Sequence, residues 1–206
     1  MKVLLINGSP NEKGCTYTAL SEVAATLDKQ GIETEIYHIG NKPIAGCIAC
    51  GKCSETGKCV FNDGVNEIGA KLDEYDGIVL GAPVYYAGNS GQSSSFLDRL
   101  YYSNAGRFNG KLGASVVSCR RGGASAAFDR LNKYFTISNM HIVGSQYWNQ
   151  VHGNTPEEVL QDLEGLQTMR TLGLNMAWLL KCIETGDKAG VARPDYEEGI
   201  ATNFIR

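Results

Sequence analysis

Four cysteines fall within thirteen residues, at Cys47, Cys50, Cys53 and Cys59, in a chain of 206 residues that has seven in all. An odd total bunched this tightly suits metal or redox chemistry in a reducing compartment better than a disulfide frame. Cys-x2-Cys-x2-Cys spacing lets three thiolates from one short loop reach three irons of a [4Fe-4S] cluster. The fourth sulfur would then close the site from beyond a turn at Gly57. Zinc competes for the same four thiolates. A metal-free set of small buried or redox-labile thiols is the third reading.

A second group of candidates lies at the start of the chain. Val3–Ile6 is an apolar run of strand length, stopped by Asn7-Gly8-Ser9-Pro10. From Thr16 a helical pattern begins, with Ala19, Leu20, Val23, Ala24 and Leu27 near period 3.6. A strand, a small-residue loop and a helix N-terminus together make a place for an anion, because the first helical amides lack partners inside the chain. Ser9, Asn11 and Thr16 add side-chain donors, and Lys13 is the one cation in the loop. Neither GxGxxG nor GxxxxGK[ST] is present. An ordinary capped turn is the competing reading.

Two later loops carry complementary chemistry. Ala82–Ser90 offers Tyr85 and Tyr86 beside Pro83 and Gly88, which suits a planar heterocycle. Cys119-Arg120-Arg121-Gly122-Gly123 offers cationic and amide donors for a pyrimidine edge and for negative charge on a reduced ring. A phosphate at one end and a flat ring with acceptors at the other describe FMN.

These loops need a scaffold, and the rest of the pattern predicts one. Strands are expected at Val3–Ile6, Glu33–Ile39, Gly77–Gly81, Leu112–Ser118 and Met140–Gly144, with amphipathic helices between them. Most of these strands are apolar throughout, which implies a parallel sheet covered on both faces. Right-handed crossovers give an open doubly wound sheet whose ligands sit outside the carboxyl ends of the strands. Residues 41–63 form a cysteine-rich excursion, 145–154 a polar and aromatic loop, and 186–206 an irregular tail. One helix is expected from Thr155-Pro156 onward, with Val159, Leu163, Leu166, Met169, Leu172, Met176, Leu180 and Ile183 on its buried stripe. The length predicts a single domain over 1–206. His38 reads as a polar outward position, His152 as a hydrogen-bonded loop residue, Cys119 and Cys182 as packing residues, and Asp98-Arg99 as a local salt bridge or a helix-end feature.

Apolar content of 43%, charged content of 20% and a net charge of −3 fit a soluble protein without electrostatic footing for nucleic acid. No apolar run approaches the length of a membrane span, and the first residues do not read as a secretion signal. The expectation is a cytoplasmic protein without membrane or nucleic-acid partners.

With these motifs in hand, the chain resembles the flavodoxin-like NAD(P)H-dependent FMN reductases, in their iron–sulfur flavoprotein branch. GSPNEKGCT resembles the phosphate loop, GAPVYYAGNSGQSSSFLDR the second flavin loop with its helix, and GCIACGKCSETGKC the cysteine segment. SQYWNQVHG and the ending TNFIR resemble features of a closer subgroup. The resemblance implies a five-stranded sheet of order 2-1-3-4-5, bound FMN, and homodimers or homotetramers. By position it assigns Ser9, Asn11 and Thr16, with Cys15 beside them, to the phosphate. It assigns Pro83, Val84, Tyr85, Tyr86 and Asn89 to the ring and ribityl chain, and Ser118, Arg120, Gly122 and Gly123 to the third flavin loop. Cys15 replaces a common Asn, and Ser94 a common Lys. Some members of the wider family carry part of the cysteine pattern without a cluster. The implied activity passes electrons from NADH or NADPH through FMN to a quinone, a flavin, a nitro or azo compound, or a protein. No acid–base residue is required, so none is named catalytic. An electron carrier between partner enzymes and a redox sensor are the alternatives.

Overall fold

Every side chain from Val3 to Asn7 is buried, and the strand they form lies inside the sheet. The protein is described by a computed structural model covering residues 1–202 and 204. Strand β1 (Lys2–Asn7) lies between β2 (Glu33–His38) and β3 (Gly77–Tyr85). Beyond β3 come β5 (Leu112–Cys119) and β6 (His141–Ile142). All four of these pairings are parallel, giving the order β2-β1-β3-β5-β6. Counted along the chain, these five strands follow the expected 2-1-3-4-5.

Two further short strands bring the sheet to seven, which corrects the expectation of five. Strand β4 (Gly88–Asn89) folds back antiparallel on Val84 and Tyr85. Strand β7 (Gln150–His152) runs parallel to Val117–Cys119. The fifth strand is therefore split, with β6 beside the start of β5 and β7 beside its end. The polar sequence of 145–154 concealed β7, because only Val151 of its three residues is fully buried. An edge strand needs little apolar sequence.

Alternating side chains of the central strands feed two cores. One packs helices α1 (Cys15–Lys29) and α7 (Leu163–Lys188) around Val3, Leu5, Val79, Ala114 and Val116. The other packs α3 (Gly64–Lys71), α4 (Gly91–Ser103) and α5 (Ala124–Ile137) around Leu4, Ile6, Ile78, Leu80 and Val117. Gly173 lets α7 approach α1 closely, since a Cβ there would stand 2.8 Å from Thr26 Cβ.

The single last helix of the sequence reading is two. Helix α6 (Pro156–Val159) ends after one turn, and Asp162 restarts the chain by accepting from the Gly165 amide at 2.9 Å. Leu163, placed on the buried stripe by periodicity, is exposed because it now opens a new helix. Helix α7 runs on to Lys188, so the irregular tail is shorter than expected. Asn203, Ile205 and Arg206 of the TNFIR ending lie outside the described residues. Among the described residues, no helix is long and apolar enough to cross a membrane.

Candidate functional site

The loop after β1 is shaped by neutral hydrogen bonds. Buried Asn7 accepts from the Ser9 amide at 3.1 Å and donates to the Glu12 carbonyl at 3.0 Å. Ser9 Oγ accepts from the Asn11 amide at 3.1 Å. Neighbouring strands hold the loop from outside. The Gly8 amide donates to the Gly81 carbonyl at 2.8 Å, Ser90 Oγ donates to the Gly8 carbonyl at 2.9 Å, and His38 Nε2 lies 2.9 Å from the Ser9 carbonyl oxygen. Gly8 permits this closeness: a Cβ would lie 2.7 Å from Ser93 Cβ and 2.8 Å from the Gly81 oxygen.

Helix α1 then begins at Gly14 without any side-chain cap. Its first hydrogen bond runs from the Thr18 amide to the Gly14 carbonyl, leaving the amides of Cys15, Thr16 and Tyr17 ahead of it. Lys13 points elsewhere, with its ammonium 3.9 Å from the centre of the Tyr17 ring. The Cys15 thiol approaches the Gly153 carbonyl at 3.7 Å, and burial pushes its pKa up. Thr16 Oγ1 is 2.8 Å from Ser118 Oγ, joining this loop to the end of β5.

The loop after β3 is a tight hairpin. Tyr86 and Ala87 take positive φ at +50° and +57°, the backbone that a two-residue hairpin turn requires. Tyr85 is half exposed and Tyr86 fully so. Asn89 is buried and donates to Ser93 Oγ and Ser94 Oγ, while its Oδ1 has no partner. Ser90 caps α4 by accepting from the Ser93 amide at 3.2 Å. At the end of β5, Ser118 and Cys119 are buried, and beyond it Arg120, Arg121 and Gly122 are exposed. Gly123 N-caps α5 at φ +85°, where a Cβ would come within 2.9 Å of Ala87 Cα. Thus the three predicted loops meet at one end of the sheet. Cys119 faces His152 across the β5–β7 pair, with Sγ 3.5 Å from Nδ1.

The cysteine segment is built differently. Cys47, Cys50, Cys53 and Cys59 line one small cavity with Ile48, Phe61, Arg99 and Tyr102. Helix α2 (Lys52–Thr56) lies inside the segment between left-handed glycines, Gly51 and Gly57. The remaining order comes from α3, whose Asn66 accepts from the Cys59 amide and donates to the Cys59 and Phe61 carbonyls, and from α4. Gln92 donates to the carbonyls of Gly40 and Lys42, and Arg99 grips the rest. Arg99 is only 1% exposed. Its Nε donates to Cys59 Sγ at 3.2 Å, and its two terminal nitrogens bind Asp63 at 2.7 and 2.8 Å. They also reach the carbonyls of Ala45 and Phe61, and the guanidinium lies 4.8 Å from the Phe61 ring centre. Burial would lower the Arg99 pKa, but Asp63 and Cys59 more than offset it, so the group stays charged.

Asp98-Arg99 is therefore no local salt bridge: Arg99 pairs with Asp63, and Asp98 accepts from Tyr134. Arg99 stands three residues after buried Phe96 and next to buried Leu100, a sign of inward placement that the sequence carried. His38 also departs from the outward reading. Nothing in the residue types of Asn7 and Gln92 marks the bonds they make here.

All seven cysteines are free thiols. Four sulfurs around one cavity suit an iron–sulfur cluster or zinc in kind. Among the described residues, however, no three metal-ligating side chains converge closely enough to hold an ion. The loops fit FMN: the uncapped amides of α1 suit its phosphate, and the unpartnered buried Asn89 Oδ1 suits a ligand donor. A separate groove of about 480 Å³, lined by His141, Cys182, Asp187 and Arg193 among others, contains none of the predicted site residues.

Comparison with known proteins agrees with this geometry. The sequence pattern of the NADPH-dependent FMN reductase family matches residues 1–155. An iron–sulfur flavoprotein of Methanocaldococcus jannaschii is 35% identical over 192 residues, covering 89% of this chain and all of that protein. A flavodoxin from the domain Archaea superposes with a TM-score of 0.60 at 16% identity, covering 88% of this chain and 99% of its own. An NAD(P)H:quinone oxidoreductase from Methanothermobacter marburgensis superposes with a TM-score of 0.67 at 13% identity, covering 85% and 96%. The two structural likenesses establish a flavodoxin-like fold, and the sequence matches place the chain in the NADPH-dependent FMN reductase family, in its iron–sulfur flavoprotein branch.

Proposed function

We propose that this chain is an FMN-dependent oxidoreductase that takes electrons from NADH or NADPH and delivers them to a quinone, a flavin, a nitro or azo compound, or a protein. The observation that carries it is the meeting of three strand-end loops that leave polar groups without protein partners: the first amides of α1 and Asn89 Oδ1. In this reading Ser9, Asn11, Thr16 and the amides from Cys15 onward hold the phosphate. Pro83, Val84, Tyr85, Tyr86 and Asn89 line the ring and ribityl chain, and Ser118, Arg120, Gly122 and Gly123 meet the pyrimidine edge. FMN, when bound, accepts hydride and releases electrons singly or in pairs. The protein's part is to orient it, shield it and complement negative charge with Arg120 and loop amides.

The four cysteines would hold an iron–sulfur cluster, which exchanges single electrons. The shared cavity and the name of the Methanocaldococcus relative support this reading. The exposure of Cys47 and Cys50 favours a second reading, an electron carrier serving a protein partner through that face. We further propose a single domain, cytoplasmic and assembled as a homodimer or homotetramer.

Anaerobic mixing with NADH and with NADPH tests the reductase reading. Rapid bleaching of the flavin by either is expected; failure of both, together with a stable flavin radical, would favour the carrier. Near-equal iron and sulfide in anaerobically purified protein is expected for the cluster. Iron-free protein of full activity would remove it.

A further inference from the structure

We propose that His38 is a positioning residue for the phosphate-binding loop, fixing the Ser9–Pro10 peptide so that its carbonyl faces away from the anion. This rests on the FMN reading above. Its role there is set by three observations. His38 is the last residue of β2 and stands in register with Asn7, the last residue of β1, so its ring is beside the loop's first turn. Its Nε2 lies 2.9 Å from the Ser9 carbonyl oxygen. That oxygen takes no other hydrogen bond among the described residues. A carbonyl only accepts, so the ring must carry its proton on Nε2.

The peptide it holds is the vulnerable one in the loop. Elsewhere a peptide that flips toward an anion presents its N–H. The Ser9–Pro10 peptide has no N–H to present, because its nitrogen belongs to proline. Turned toward a phosphate, it offers only the negative end of a carbonyl dipole. The loop has little charge to compensate, since Lys13 is engaged on the Tyr17 ring. The other restraints act on different groups: Asn7 on the Ser9 amide and Glu12 carbonyl, Ser90 and Gly81 on Gly8. Among the described residues, His38 alone restrains this carbonyl.

The test compares FMN with riboflavin, which shares the ring and ribityl chain but lacks the phosphate. Equilibrium fluorescence titration of the flavin-depleted full chain gives Kd for both. His38→Leu should weaken FMN about tenfold, the scale of one lost hydrogen bond plus a freed carbonyl, while riboflavin stays within about twofold. His38→Gln, whose side-chain amide donates from a similar reach, should recover FMN to within about threefold. Equal loss for both flavins would assign His38 to general packing and overturn the proposal. Unchanged FMN affinity in His38→Leu, or no recovery with Gln, would overturn it as well. The unsubstituted protein supplies a check that needs no variant: nitrogen NMR of its FMN complex should show the His38 proton on Nε2, and a proton on Nδ1 with Nε2 bare contradicts the proposal. A wild-type chain that takes neither flavin removes the FMN reading itself, whereas FMN binding indifferent to His38→Leu removes only the role given to His38.

Discussion

The strand-end loops and the cysteine segment sit on the same sheet, yet they are ordered by opposite means. The loops are short continuations of buried strands, and their shape comes from neutral groups such as Asn7, Ser90, Thr16 and Ser118, each buried where its strand or helix places it. The cysteine segment spans residues 41–63 with one short helix inside it, and one buried cation holds its two arms together. Neutral preorganisation spreads the work over many weak bonds and leaves amides free for an anion. A single buried guanidinium concentrates it, so one substitution should release the segment while leaving the loops in place.

Arg99→Met is the largest expected break in that comparison. It removes the guanidinium bonds to Cys59, Asp63 and the Ala45 and Phe61 carbonyls at once, although Asp63 still accepts from the Val65 amide and Phe61 from Asn66. A loss of about 2–4 kcal/mol in urea unfolding is expected, with amide exchange rising across 41–63 and FMN affinity within about threefold of wild type. Equal loss of FMN would show that the two regions are one unit.

Gly8→Ala acts on the other side. The new methyl would meet Ser93 Cβ and the Gly81 carbonyl, and neither backbone can yield freely. About 1–3 kcal/mol of destabilisation is expected, with FMN affinity falling at least about tenfold and exchange in 41–63 unchanged. Thr16→Val is gentler: it removes the bond to Ser118 for about 1 kcal/mol and should weaken FMN more than riboflavin.

The smallest effect lies at the β2 edge, away from both regions. Burial tends to raise the Glu35 pKa, but Lys2 and Tyr75 outweigh it and hold the carboxylate below its ordinary 4.5. Its contribution to stability is present above that value and disappears as pH falls through the lower, folded-state pKa. Glu35→Gln should flatten this small part of the acid limb in thermal melts, with no change in flavin binding.

The same contrast explains what the sequence revealed. β1, β3 and β5 announce themselves as apolar runs, and the loops at their carboxyl ends follow from the parallel topology. The pairing partners do not. Arg99 with Cys59 is separated by 40 residues, and His38 with Ser9 by 29, so their contacts exist only once the sheet is assembled. β7 is hidden in the sequence because an edge strand can be polar, and the break at Asp162 because a cap interrupts a helix without interrupting its periodicity.

The most direct measurement is an amide NMR map of the chain as FMN is added. Shifts concentrated at residues 8–17, 83–90 and 118–123, saturating at one FMN per chain and weaker with riboflavin in the first of these, are the predicted result. Shifts centred on the groove around His141 and Arg193, or no saturable shift at all, would contradict a flavin held at the carboxyl ends of these strands.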